Sequence, residues 1–273
     1  MNVAQRQRPA PGELCLDHVA HFVPDLDAAA RFLEKLGLKV TPASAQVVEG
    51  KPAGTSNRTV MLEEGYLEIL APMMDTPNAA RVRQFIDRFV GVHLACFGTP
   101  DAESEHRRLA AHGFEPPPLV DLSRKLDDGA EVRFKVVRTG DKMPEGRVQY
   151  VEHLAPEVIW REAFVNPLRL ASVLVVADDP VAAAARWARF AGLIPYPDGD
   201  GVRLDTARGS VFVKKAWPWD TPPAPAIAGY GLACSHPQAF LARCSAAGLA
   251  PKPHANGHAL ALPPELGGAW LIS

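Results

Sequence analysis

The stretch LDHVAHFVPDLDAAARFLEKLGLKV (residues 16–40) carries the pattern that decides the fold. An apolar, β-prone run comes first, Asp25 follows in a turn, and an Ala-rich segment then places apolar residues at helical spacing. Gly37 stands where a helix commonly ends, because a residue in the left-handed conformation closes the last turn there. The stretch therefore predicts a strand, a helix that begins near Asp25, and further strands beyond the glycine.

The same pattern occurs four times along the chain. The other three copies span residues 92–116, 170–195 and 230–251. In each of these copies a proline follows the turn residue directly, which suits the first turn of a helix. Strand-like runs follow every helix, so each repeat predicts one βαβββ module. We therefore expect an α+β fold built from four such modules.

The segments between the repeats divide the chain into three parts. Residues 1–13 contain Pro and Gly and lack the apolar run of a secretion signal, so we expect a flexible tail. Residues 14–162 hold modules 1 and 2, and residues 163–273 hold modules 3 and 4. We predict that each pair of modules forms one domain.

The composition favours a small molecule as the binding partner. The 273 residues carry a net charge of −2 and contain 47% hydrophobic residues. No basic run indicates binding to nucleic acid or to a membrane surface, and no apolar run approaches the roughly 20 residues of a membrane span. The four cysteines form no C-x-x-C pair and lie in apolar or helical patterns, which predicts a reducing, cytoplasmic compartment.

Two glutamates stand inside apolar, strand-like runs. Glu68 lies in GYLEIL (65–70) and Glu152 in VQYVEHL (148–154), and each follows a tyrosine by two residues. A buried carboxylate costs several kcal/mol unless it is paired or bound to a metal. Strand alternation puts Tyr66 and Glu68 on one face, and Tyr150 and Glu152 on one face. These carboxylates therefore either point to solvent or bind something.

The repeats and these strands resemble the vicinal oxygen chelate superfamily, which includes glyoxalase I, extradiol dioxygenases and fosfomycin-resistance proteins. Within it, the phrases LDHVAHFVPDLDAAARF, GYLEILAP and VEHLAPEVIWR look like those of glyoxalase-like domain proteins. The resemblance implies that modules pair into curled mixed sheets with flanking helices, and that one cup holds a metal. Four modules complete two such sheets in one chain, so a homodimer is compatible with this organisation but needs no exchange of modules.

In this superfamily the metal ligands come from the first and last strands of each module. The resemblance therefore implies the ligand set His18, Glu68, His93 and Glu152 for one divalent ion. Two imidazoles and two carboxylates suit Ni, Co, Zn, Fe or Mn and leave coordination positions open for substrate. A β-bulge in the last strand would let His153 replace Glu152 as the ligand.

Modules 3 and 4 provide an internal comparison. Aligned on their turn residues, these modules have Ser172 in the position of His18 and Gly231 in the position of His93. Phe212 stands near the position of Glu68. We therefore expect the second half to lack a metal site and to contribute packing, shape or substrate gating.

Five residues are candidate contacts to a substrate. Asn57 and Arg58 stand at the entrance of a predicted strand, and Arg133 lies in the run VRFKV of the second module. Their side chains can hold an anionic or carbonyl group through directed hydrogen bonds. Tyr66 and Tyr150 share a strand face with the two glutamates and complete the set.

The resemblance implies a metal-dependent, glyoxalase-like enzyme of the lyase or isomerase type. It would chelate a small molecule through vicinal oxygens and stabilise an enediolate as a proton leaves the adjacent carbon. We predict Glu152 as the base and Glu68 as the steadier ligand. Two alternatives stay open: an extradiol-type ring-cleaving dioxygenase with Fe(II) or Mn(II), and a metal-free protein that binds a drug or metabolite.

Overall fold

The computed structural model describes residues 2–126, 128–255 and 257–273, and in it the chain forms four consecutive βαβββ modules. The predicted α+β architecture is thereby confirmed. The first 13 residues, predicted as a flexible tail, include the short helix α1 (Val3–Gln7). Its last residue, Gln7, donates a side-chain hydrogen bond to the carbonyl of Glu63 and accepts one from the amide of Gly65.

The first half of the chain contains modules 1 and 2. Module 1 comprises β1 (Cys15–Phe22), α2 (Leu26–Lys35), β2 (Ser44–Val48), β3 (Lys51–Glu64) and β4 (Tyr66–Pro72). Helix α3 (Pro77–Arg88) leads to module 2, which comprises β5 (Gly91–Gly98), α4 (Ala102–Ala111), β6 (Val120–Lys125), β7 (Glu131–Arg138) and β8 (Arg147–His153). Helix α5 (Pro156–Ile159) and a 3-10 helix (Glu162–Phe164) follow and connect the two halves.

The second half repeats this order. Module 3 comprises β9 (Asn166–Val176), α6 (Pro180–Ala191), β10 (Tyr196–Asp198), β11 (Gly201–Asp205) and β12 (Ser210–Lys214). Module 4 comprises β13 (Ala226–Cys234), α7 (Pro237–Ala246), β14 (Lys252–His254), β15 (Gly257–Ala261) and β16 (Ala269–Ile272). None of the helices among the described residues combines the length and the apolar character needed to cross a membrane.

Aspartates begin three of the four module helices. The side chains of Asp25, Asp101 and Asp179 each accept a hydrogen bond from a backbone amide in the first turn. Such an N-cap satisfies a donor that the helix leaves free, and its negative charge complements the helix dipole. The turns after the first strands therefore set the start of these three helices, as the repeated sequence pattern predicts.

The strands of modules 1 and 2 close into a ring. Strand β1 pairs in parallel with β4 and antiparallel with β5, and β5 pairs in parallel with β8. The order continues through β7, β6 and β2 to β3, and β3 pairs back with β4. The eight strands therefore surround an interior space, while their outer faces pack against the helices and the second half.

Apolar clusters fill both faces of this ring. The largest cluster takes residues from both halves of the chain, among them Leu16, Phe97 and Trp187. A second cluster lies inside the ring and includes Phe22 and Leu94. Because strand residues alternate between the two faces, one set of positions forms the core between the halves and the other lines the interior.

A buried histidine joins the two halves. The Nδ1 atom of His21 lies 2.9 Å from the carbonyl oxygen of Leu266, and its Nε2 atom lies 2.9 Å from the hydroxyl of Tyr230. If Nδ1 carries the proton and donates to the carbonyl, Nε2 accepts from the tyrosine hydroxyl. Burial lowers the pKa of His21 from 6.5 to about 4, so the ring is neutral in the folded protein at pH 7.

Replacing His21 with Gln should reduce the loss of stability on acidification. A histidine with a lowered pKa in the folded state takes up its proton on unfolding, so its contribution is present above pH 6.5 and is lost as the pH falls toward 4. Between pH 7.5 and pH 5, the free energy of unfolding should fall by about 2 kcal/mol less in His21→Gln than in the wild type. Urea denaturation at the two pH values measures this difference, and equal decreases in both proteins would contradict it.

Candidate functional site

The ring of modules 1 and 2 encloses one open cavity, which we call the cup. Its volume is about 720 Å³ when the solvent-filled mouth is included. Its polar lining consists of His18, Gln46, Asn57, Tyr66, Glu68, Asn78, Ser123, Arg138, Arg147 and Gln149. Its apolar lining consists of Val48, Leu70, Leu94, Leu122, Phe134, Val136 and Val151. A concave surface that combines apolar walls with converging polar groups is typical of a small-molecule site.

The pairing of β4, β1, β5 and β8 arranges the floor of the cup in two rows. The first row runs Tyr66, His18, Cys96, Gln149, and the second row runs Glu68, Ala20, Leu94, Arg147. Because β4 and β8 stand at the two sides of this floor, their side chains face each other across the cup. Glu68 and Arg147 therefore belong to opposite walls.

His18 is held with one ring nitrogen toward the cup. Its Nδ1 atom lies 2.6 Å from the Oδ1 atom of Asp17, and the ring of Tyr66 stacks on it with 4.3 Å between centroids. Oδ1 accepts a hydrogen bond from Nδ1–H, so in the neutral imidazole the lone pair is on Nε2, toward the cup. That Nε2 atom lies 4.0 Å from the Oε2 atom of Glu68.

Asp17 binds two histidines from the same buried position. It is 1% exposed and is the extra residue of a β-bulge in β1. Its Oδ2 atom accepts a hydrogen bond from Nε2 of His153 at 2.9 Å, while Oδ1 accepts from His18. Burial opposes ionisation of Asp17, but the two imidazole partners prevail and hold its pKa well below the usual range. His153, the alternative ligand in our prediction, is therefore directed at Asp17.

Glu68 is fixed through one carboxylate oxygen. Its Oε1 atom accepts hydrogen bonds from the side-chain amides of Asn57 and of Gln46, the latter at 3.1 Å. The Oε2 atom faces the Nε2 atom of His18. The carboxylate is thus oriented by amides on one side and presents its other oxygen to the cup.

The structure does not bring His93 to this pair. His93 is the extra residue of a second β-bulge, in β5, and is fully buried. Its Nε2 atom donates to the carbonyl of Phe89 at 2.7 Å, and the rings of Phe22, Phe85 and Phe89 surround it. Burial lowers its pKa to about 4. The predicted ligand role of His93 is corrected accordingly.

The N-caps show why the prediction failed by one residue. Counting back eight positions from Asp25 and from Asp101 reaches Asp17 and His93, the two bulged residues. Counting back seven positions reaches His18 in module 1 but Leu94 in module 2. His93 is therefore the counterpart of Asp17, and a bulge cannot be recognised from the sequence pattern of a strand.

Glu152 and Tyr150 also lie outside the cup. The Oε2 atom of Glu152 accepts a hydrogen bond from the amide of Ala102 at the start of α4, and the hydroxyl of Tyr150 donates to the carbonyl of Phe190 at 2.6 Å. Strand alternation instead turns Gln149 into the cup. The predicted roles of Glu152 as ligand and base, and of Tyr150 as a substrate contact, are corrected by this geometry.

The error in module 2 came from matching two Tyr-x-Glu motifs. By strand register, the counterpart of Tyr66-x-Glu68 is Arg147-x-Gln149, three residues earlier than the motif match. The register of β5 with β8 decides the alignment, and that register is not visible in the sequence motif. Gln149 and Arg147 were missed for this reason.

Two of the other predicted substrate contacts lie outside the cup as well. Arg58 pairs with Asp27 at 2.7 Å on the outer face of β3, and Arg133 lines a separate shallow depression with Glu131. Asn57 and Tyr66 line the cup. Asp17 and Gln46, which the sequence analysis did not single out, complete the polar set around His18 and Glu68.

The pair of His18 and Glu68 suits a divalent ion with an open coordination sphere. The 4.0 Å between Nε2 and Oε2 is too long for a hydrogen bond, and the two atoms would supply an imidazole nitrogen and a carboxylate oxygen to one divalent ion. Among residues 2–126, 128–255 and 257–273, no group of three or more His, Cys, Asp and Glu side chains is placed to hold a metal. Such an ion would take its remaining ligands from substrate, water or the amide oxygen of Gln149.

The second half has different residues at the corresponding positions. In β9, Ser172 lies opposite Ser210 of β12, as His18 lies opposite Tyr66. Phe212 then occupies the position that corresponds to Glu68. The two donors of the cup have no counterpart in module 3.

Comparison with known proteins identifies the family. The model of a family described as "Glyoxalase-like domain" matches residues 16–191. The chain therefore belongs to this family, within the vicinal oxygen chelate superfamily. No curated protein matches the chain.

Solved structures share the fold at low sequence identity. A hypothetical protein from Staphylococcus aureus is 12% identical, with 95% of this chain and 99% of that chain covered and a TM-score of 0.69. A triple mutant of 4-hydroxymandelate synthase from Streptomyces coelicolor is 12% identical, with coverage of 96% and 93% and a TM-score of 0.56. A Mn(II)-bound glyoxalase from Novosphingobium aromaticivorans is 10% identical, with coverage of 94% and 81% and a TM-score of 0.54.

Replacing Asp17 with Asn should destabilise the protein. The amide keeps the size of the side chain but removes the charge and one acceptor from two buried imidazole partners. We expect the free energy of unfolding in urea to fall by about 2–4 kcal/mol. The exposed Asp128, which pairs with Arg161, supplies the control: Asp128→Asn should leave stability essentially unchanged. Equal stability of Asp17→Asn and the wild type would show that the hydrogen bonds that Asp17 accepts from His18 and His153 contribute nothing to the free energy of unfolding.

Proposed function

We propose that this chain is a metal-dependent, glyoxalase-like enzyme of the lyase or isomerase type, acting on a small molecule that binds through two neighbouring oxygens. One observation carries the proposal: His18 Nε2 and Glu68 Oε2 face each other at 4.0 Å in the floor of the cup. Their remaining polar atoms are already occupied, by Asp17 on one side and by Asn57 and Gln46 on the other.

His18 and Glu68 would hold one divalent ion, chosen from Ni, Co, Zn, Fe and Mn by ligand type. When bound, the ion supplies Lewis acidity that polarises the two substrate oxygens and stabilises the negative charge that develops there. Asp17 contributes by keeping the proton of His18 on Nδ1, so that Nε2 stays available.

Glu68 takes over the role of base that the sequence analysis gave to Glu152. With Oε1 held by two amide donors, Oε2 would serve in turn as a donor to the ion and as the atom that accepts a proton from the carbon next to the substrate oxygens. Leu94, in the same row of the floor as Glu68, and Val151, on the opposite wall, add apolar surface to the cup that limits the access of water. The stacked ring of Tyr66 keeps His18 in place while the proton moves.

A metal-free binding protein is the second candidate function. It is favoured by the apolar wall of the cup, which suits the body of a small organic ligand. The ring-cleaving dioxygenase is less well supported, because such sites use two histidines and one carboxylate. His93 and His153 are engaged with Phe89 and Asp17 and leave His18 as the histidine in the cup.

Protein purified without a His-tag should contain about one divalent ion per chain by elemental analysis. His18→Ala and Glu68→Gln should each lower the metal affinity by about tenfold or more, because each removes one of two protein donors. In D₂O, NMR should detect exchange of the carbon-bound hydrogen of α-hydroxy ketones by the wild type. Glu68→Gln should slow this exchange by about 10²–10⁴-fold.

Glu152→Gln and His93→Gln are the matched controls, because both replace residues of the original ligand set that lie outside the cup. Both should retain metal and exchange activity once folding is verified by circular dichroism. Loss of metal in Glu152→Gln would show that Glu152 is a metal ligand, as predicted from the sequence, and would contradict the assignment to His18 and Glu68 alone. Wild-type protein that cannot be loaded with any of these ions would favour the binding protein.

A further inference from the structure

The wall of the cup opposite Glu68 carries two arginines. Arg147 on β8 and Arg138 on β7 both line the cavity. Arg138 pairs with Gln149, which stands two residues after Arg147, so the arginines are diagonal neighbours on adjacent strands. Diagonal neighbours are close enough for long side chains to act on one group.

Neither guanidinium forms a hydrogen bond or ion pair with a residue that the structure describes. Arg147 lies over the ring of Phe22, at 5.3 Å from its centroid, and the Nε atom of Arg138 is buried without a partner. Arg81, the nearby cation of helix α3, is paired with Asp141 outside the cup. Two positive charges thus stand in a partly desolvated cavity without counter-charges in contact.

This arrangement is costly without a ligand. Arginines at half-buried positions are usually paired with a carboxylate, because desolvation of the charge otherwise destabilises the fold. The acidic residue of the cup, Glu68, is bound by amides on its own wall instead. The protein keeps these opposite charges apart across an open space.

We propose that Arg147 and Arg138 bind an oxyanion group of the substrate, a carboxylate or a phosphate. The planar guanidinium donates two parallel hydrogen bonds to such a group, which gives both strength and orientation. The oxyanion neutralises the charges that the protein leaves unpaired.

The substrate class follows from the layout of the cup. The inference rests on the proposed function, in which the reacting oxygens lie at His18 and Glu68. The oxyanion lies on the wall of β7 and β8, and apolar residues such as Phe134, Val136 and Val151 cover the space beside it. The substrate is therefore a small organic acid with an apolar body and with its anionic group separate from the reacting oxygens.

The test measures binding by isothermal titration calorimetry on the full chain treated with EDTA, so that no metal contributes. Benzoate and phenyl phosphate are the anionic probes, and benzamide is the neutral probe of nearly the same shape. At least one anion should bind about tenfold or more tightly than benzamide. Which anion binds distinguishes the carboxylate from the phosphate.

Arg147→Met should weaken binding of that anion by about 30-fold, because it removes a desolvated charge partner. Arg147→Lys retains the charge but not the paired donors and should show an intermediate loss. Arg133→Met removes an arginine of β7 that lies outside the cup. This variant should bind the anion as tightly as the wild type does. Circular dichroism and urea denaturation of each variant verify folding.

The inference is overturned if neither anion binds better than benzamide, or if Arg147→Met binds the anion as tightly as the wild type. Failure of the metal analysis above would overturn the proposed function and leave the oxyanion site intact, because these titrations contain no metal. Retained metal in protein that shows no preference for anions would overturn only the oxyanion site.

Discussion

The site depends on the two hydrogen bonds that the carboxylate of Asp17 accepts from histidines. This carboxylate is buried at a β-bulge and accepts one hydrogen bond from His18 and one from His153. The bond to His18 decides which ring nitrogen faces the cup, and the bond to His153 connects β1 with the end of β8. One buried charge, paired on both oxygens, thus orients the His18 ring and joins the first and last strands of the paired modules.

The same bulge occurs in module 2 with a different outcome. There the bulged residue is His93, which binds the carbonyl of Phe89 among aromatic rings. An acidic residue at the bulge of module 1 presents a histidine to the cup, whereas the bulge of module 2 leaves Leu94 in the matching place. Two modules with one backbone plan therefore give unlike halves of the cup floor, with His18 and Glu68 in module 1 and with Leu94, Gln149 and Arg147 in module 2.

The fold could be predicted because its determinants are local and repeated. Turn residues, helix-ending glycines and apolar periodicity predicted four modules, and the resemblance to the superfamily pointed to His18 and Glu68, which the structure places together in the cup. The errors arose where pairing between distant strands decides the outcome. The bulge shifts His93 by one residue, and the register of β8 replaces Glu152 with Gln149. A bulge and a parallel register both depend on the partner strand, which the motifs in a single sequence do not identify.

Opposite charges lie on facing walls of the cup. Glu68 and Arg147 lie in the same row of the floor, and each could neutralise the other if the walls were closer. Amides of Asn57 and Gln46 hold Glu68 back, and the ring of Phe22 supports Arg147. A charged pair held apart in this way retains its attraction for a ligand that reaches both walls. Keeping the two charges apart destabilises the folded protein, and it leaves one anionic and one cationic wall that favour a single orientation of a polar ligand.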